Sequence, residues 1–224
     1  MNKNNKTARI VGALFLTVNV AFLAGVLTLE SILGSADYLA IMSTKRTPVV
    51  LGVLLEIINA IAYVTIALLM FPILRKRFES MALGFVGFRI LEFAMQTLAD
   101  LSPLSLLTLS DEFVSAGAPA ASSFQALGTM LLAERYWAFQ MISITFVLGA
   151  VLFYIMMYQS KLIPRFISIW GLIGTAVVLA NTVMDMLGVP PGNLGVIMLL
   201  NELFLGVWLI VKGFNQPEEV SGSV

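Results

Sequence analysis

The sequence predicts an all-α integral membrane bundle of six transmembrane helices, with both termini in the cytoplasm. Three observations predict it. The 224-residue chain is 59% hydrophobic and 12% charged, with a mean hydropathy of +0.95, where a soluble domain is about 25% charged. Apolar runs cover residues 8–28, 48–74, 80–108, 136–159, 164–187 and 194–214, each long enough to cross a hydrocarbon core of about 30 Å. Basic residues gather on alternate connections, which sets orientation by the positive-inside rule.

Helices are the natural reading of each run, because backbone polar groups in lipid must bond within their own segment. The first run follows Lys3, Lys6 and Arg9. Its apolar core of about 20 residues exceeds the 7–15 of a signal peptide, so it reads as a retained helix. Prolines punctuate the rest: Pro48 and Pro164 at run starts, Pro72 and Pro190–Pro191 at run ends. Pro103 falls inside the third run and is expected to kink it or end it early. The six spans make one domain, 1–214, and the tail from Asn215 reads as disordered. Two connections are long, 29–47 and 109–135, both on the outside. The second opens with Asp111 and Glu112 and continues with small residues over 115–123. Phe124, Leu127 and Leu131 then recur at helical spacing, which suits either a short helix on the outer membrane face or an extension of the fourth span.

Nine basic residues fall on one side: Lys3, Lys6, Arg9, Arg75, Lys76, Arg77, Lys161, Arg165 and Lys212. Lys45, Arg46 and Arg135 fall on the other, and Arg89 lies inside a span. Trp137 and Trp208 suit interfacial anchoring. The expected location is the cytoplasmic membrane of a bacterium, with the lipid bilayer as obligatory partner.

Composition also excludes functions. Formal net charge is zero, with 13 basic and 13 acidic residues, so no basic surface exists for nucleic acid. With Cys and His both absent, disulfides, zinc–thiolate sites and imidazole bases are excluded. No cofactor or metal is expected, and the 12 Met residues read as packing.

The informative residues are polar groups inside the spans, which in a membrane usually face a bundle interior or water. Arg89, Glu92, Gln96 and Asp100 form one stripe at spacings of 3, 4 and 4. Glu56, Asn59 and Tyr63 form another, and Asn181 and Asp185 are one turn apart. Helix rise sorts them into tiers. Arg89 comes to about 14 Å above the inner boundary, with Glu56, Glu92 and Glu202 at about 18 Å. Gln96, Gln140 and Asn181 follow at about 24 Å, with Asp100 and Asp185 at the outer mouth. This predicts a polar cavity open to the outside, with Glu56, Arg89, Glu92, Glu202, Gln96, Gln140 and Asn181 as ligand-binding residues. One Arg cannot balance three carboxylates, so one acid is expected to be protonated or to hold a cation. Asn59 and Asn201 are expected to tie helices together.

The residues so collected resemble a bacterial family, domain of unknown function 4386. The resemblance rests on Ala8-Arg9-Ile10-Val11-Gly12, on Phe88-Arg89-Ile90-Leu91-Glu92, on Leu162-Ile163-Pro164-Arg165 before Gly171 and Gly174, and on Leu51-Gly52 before Glu56. It implies the six-span architecture and supplies no activity. The family carries a His near the start of its fourth span, where this chain has Ala133-Glu134-Arg135-Tyr136.

Three functions fit. A small transporter or ligand-binding protein would take a polar or cationic solute from outside. An intramembrane enzyme would use a carboxylate pair as acid and base. An accessory subunit would use the polar groups only to hold its helices together.

Overall fold

The computed structural model describes residues 3–116, 121–190, 192 and 195–215. Among them every regular element is helical: α1 (Lys3–Leu33), α2 (Tyr38–Met42), a 3-10 turn (Ser43–Lys45), α3 (Arg46–Ala116), α4 (Ala121–Ser160), α5 (Arg165–Met186) and α6 (Val196–Val211). Four helical stretches are long and apolar enough to cross a membrane: Asn4–Leu33, Tyr38–Ala116, Ser122–Ser160 and Arg165–Met186. The sixth apolar run forms a shorter helix of 16 residues. Its expected start at Leu194, Pro191, residues 117–120 of the small-residue stretch and the tail beyond Asn215 lie outside the described residues.

α3 is two helices joined at Phe78, whose φ of −135° and ψ of 52° leave the helical region. The first limb (46–77) carries the second apolar run and the second limb (79–116) the third. Pro103 does not end the third run as expected: helix continues through it to Ala116. The two outer connections are also mostly helix rather than loop. α1 runs on to Leu33, α2 fills the first connection, and α3 and α4 between them fill most of the second. Phe124, Leu127 and Leu131 thus belong to an extended fourth helix. At 40 residues, α4 is about 60 Å long, twice the hydrocarbon thickness.

The chain divides into two compact units. The first comprises Met1–Leu16, Thr65–Phe88 and Phe146–Val224, and the second Thr17–Val64 and Arg89–Thr145.

In the first unit, small residues let helices approach closely, the usual device where lipid supplies no hydrophobic drive. α1 meets α6 at Gly12 and Gly206, where a Cβ on Gly12 would lie 2.6 Å from the Gly206 carbonyl oxygen. The Tyr154 ring lies flat on Gly171. Its hydroxyl donates to Asn201 Oδ1 at 2.6 Å, and Asn201 Nδ2 donates to the Ile167 carbonyl at 3.0 Å. Asn201 thereby ties α4, α5 and α6 together, as its position inside a span implied. Between α4 and α5 the chain turns through Lys161, at a φ of 56°.

In the second unit, Asn59 donates to the Val18 carbonyl at 2.8 Å and ties α3 to α1. The end of α1, α2, both ends of α3 and the start of α4 enclose a separate apolar cluster around Leu29, Met42, Val49, Leu106 and Leu107. Ser110 is its polar pin. Its hydroxyl donates to the Leu39 carbonyl and accepts the Ser43 N–H at 2.8 Å. Ser110→Ala is expected to cost about 1–3 kcal/mol, the penalty for orphaning buried backbone groups. Faster amide exchange at residues 38–45, with little change elsewhere, is the measurement that checks it.

Candidate functional site

The second unit contains a buried ionic network that sequence reasoning only half assembled. Glu56 comes from the first limb of α3, Gln96 and Asp100 from its second limb, and Arg135 from α4. Arg135 Nη2 donates to Glu56 Oε1 at 2.7 Å. Its Nη1 lies 3.8 Å from Asp100 Oδ1 and donates to the Ala99 carbonyl at 3.3 Å. Gln96 Nε2 bridges the two acids, donating to Glu56 Oε2 at 2.9 Å and to Asp100 Oδ1 at 3.0 Å. Glu56, Asp100 and Arg135 are 1%, 2% and 4% exposed. The guanidinium also stacks over Phe139, 4.7 Å from the ring centroid.

A second ion pair lies one turn and more along the same stripe. Arg89 Nη1 donates to Glu92 Oε2 at 2.6 Å, and the guanidinium covers the Tyr63 ring at 4.4 Å. Gln140 is buried in this unit as well.

Two expectations change. First, Arg135 is no outer-loop cation; it is buried against two acids. Its side chain continues the 127–131 spacing by one more turn of α4, the signal that would have found it. It stands in the stretch 133–136 where the family resemblance implies a His. Second, Glu56 and Asp100 do not occupy separate tiers, since one amide nitrogen bonds both. The reason is the hairpin: each lies 22 residues from Phe78, so antiparallel limbs bring them level. Depth counted from opposite ends of unequal runs had separated them. Glu202, Asn181 and Asp185 lie in the first unit. Glu202 is buried there, and Asn181 donates to the Gly192 carbonyl at 3.2 Å.

Electrostatics frame what the network can do. The second unit buries three acids (Glu56, Glu92, Asp100) with two guanidiniums. Both Glu56 oxygens are engaged, whereas Asp100 Oδ2 and Arg135 Nε have no hydrogen-bond partner among the described residues. An unmet carboxyl oxygen where three acids share two guanidiniums suits a cationic or hydrogen-bond-donating guest. Among the described residues no three acids converge in a way that could hold a metal ion.

Long apolar helices around a buried ionic network define an α-helical, multi-pass membrane protein. The chain belongs to the family described as "Domain of unknown function (DUF4386)", whose profile matches residues 10–213. No curated protein and no solved structure matches it.

Proposed function

We propose that this chain is a small transporter or ligand-binding protein of a bacterial cytoplasmic membrane. It crosses six times with both termini inside, and takes a small polar or cationic solute from outside at Glu56, Gln96, Asp100 and Arg135. The observation that carries the reading is Asp100 Oδ2, a buried carboxylate oxygen without a partner among the described residues. The orientation is supported by charge. Nine basic residues lie at the termini, at 75–77 and around the α4–α5 turn, against Lys45 and Arg46 on the opposite connections. The six crossings are supported by the break at Phe78, which lets α3 supply two spans.

A structural reading competes, because Glu56 is saturated by Arg135 and Gln96. The two separate by titration. The purified protein is heated in detergent with sodium, methylammonium, choline or putrescine, and uptake is followed in proteoliposomes. On the proposal one of these probes stabilises the protein, by about 2.7 kcal/mol at 100 times its dissociation constant. Asp100→Asn abolishes both that gain and uptake. If no probe stabilises and Asp100→Asn simply unfolds at a higher temperature, the network is helix glue.

A further inference from the structure

The first unit carries a feature that the solute site does not use. Three segments distant in sequence converge at one place. Asn215 donates to the Lys161 and Leu162 carbonyls at 2.9 and 2.8 Å. A Cβ on Gly213 would lie 3.1 Å from Asn5 Oδ1. The start of α1, the α4–α5 turn and the end of α6 therefore meet. Lys6, Lys161, Arg165 and Lys212 are all exposed there, and residues 3–15, 157–170 and 204–215 contain no acid at all. Arg165 is braced over the Tyr158 ring, its Cζ 4.9 Å from the centroid.

Immediately beside the cations lies an exposed aromatic face. Phe166 and Phe204 pack edge to face at 5.9 Å, and Phe166 meets Trp208 at 6.4 Å. Phe166 is 52% and Phe204 40% exposed. Cations above an aromatic wall match the two halves of an anionic phospholipid, a phosphodiester headgroup and an acyl chain.

Lys161 adds an independent argument. It sits just past the end of α4 in the left-handed conformation. Glycine or asparagine usually holds that position, because a Cβ there is strained. A lysine at that site supplies a charge at the expense of local backbone comfort.

We propose that Lys6, Lys161, Arg165 and Lys212 bind the headgroup of an anionic phospholipid whose acyl chain lies along Phe166 and Phe204. The test is native mass spectrometry of the full chain in detergent, with phosphatidylglycerol and phosphatidylcholine of the same chains as competing probes. Phosphatidylglycerol is expected to bind at least ten-fold more tightly. Each neutralised cation removes about five-fold, so Lys161→Gly, Arg165→Gln and Lys212→Gln together erase the preference. Lys161→Gly alone is expected to weaken binding about five-fold while its melting temperature holds or rises, because glycine relaxes the turn. Lys161→Asn, also at ease in that conformation, repeats the measurement independently. Lys45→Gln, in the other unit, leaves the preference intact. Equal binding of the two lipids, or a preference surviving the triple substitution, would overturn the proposal. So would displacement of phosphatidylglycerol by an equal concentration of inorganic phosphate, which would assign the patch to a free anion.

Discussion

Arg135→Met is expected to be the most damaging single substitution in the second unit, costing about 3–5 kcal/mol. Removing one partner of a buried ion pair leaves its mate charged in a medium that cannot solvate it. Here two mates are stranded, Glu56 and Asp100, along with the Ala99 carbonyl that Arg135 also meets. Replacing all three together, with Glu56→Gln and Asp100→Asn added, is expected to recover most of the loss. No buried charge of the network then remains unpaired, and amides keep the shape. Arg46→Met provides the contrast. Its pair with Asp111 at 2.5 Å is half exposed, and exposed pairs contribute at most about 1 kcal/mol. Unfolding midpoints of the three variants, measured by denaturing-detergent titration, check the order. A loss from Arg135→Met no larger than that from Arg46→Met would mean that the network is relieved by water.

Gly171→Ala is expected to be the largest effect of adding a single methyl group. The new Cβ would fall within contact distance of three Tyr154 ring atoms, and overpacking of this kind costs about 1–3 kcal/mol. The ring cannot swing away freely, because its hydroxyl is bonded to Asn201, which is fully buried. Displacing it orphans Asn201 Oδ1, adding a penalty of about the same size. Tyr154→Phe separates the two contributions, since it loses the hydrogen bond and keeps the ring. In the Gly171→Ala, Tyr154→Leu double variant the packing loss should largely vanish. Gly87 is the control, because an added methyl group there would meet nothing within 4 Å; Gly87→Ala, inside α3, is expected to cost nothing and to gain up to about 1 kcal/mol of helix propensity.

Much of the helical architecture was legible because lipid leaves few alternatives. An apolar run of about 20 residues without a partner strand has to be helical, and all six runs fall mainly within helices. What was not legible follows from reading polarity as a boundary. Glu134 and Arg135 look like the edge of a span, yet only Glu134 is exposed. Arg135 turns inward because Glu56 and Asp100 await it, and neither adjoins it in sequence. Residues 109–116 looked like loop because their polarity rises, yet α3 runs on to Ala116 and Leu109 and Phe113 pack against the cluster around Leu106 and Leu107. The stripe from Arg89 to Asp100 was visible from spacing alone, since i, i+3 and i+4 positions share a helix face. Its division into two centres, Arg89 with Glu92 and Gln96 with Asp100, depends on what the neighbouring helices offer. Spacing carries no information about that.

The turn at Phe78 has a consequence for how such a gene can change. Glu56 and Asp100 meet because the two arms are equal in length, whatever side chains line the way. A substitution in either arm leaves that equality untouched. A single codon inserted between residues 79 and 95 does not: it rotates everything beyond it by about 100°, carrying Gln96 and Asp100 together off the face turned to Glu56. Length between residues 57 and 99 is therefore expected to tolerate change less well than composition does. An indel on one arm calls for its counterpart on the other.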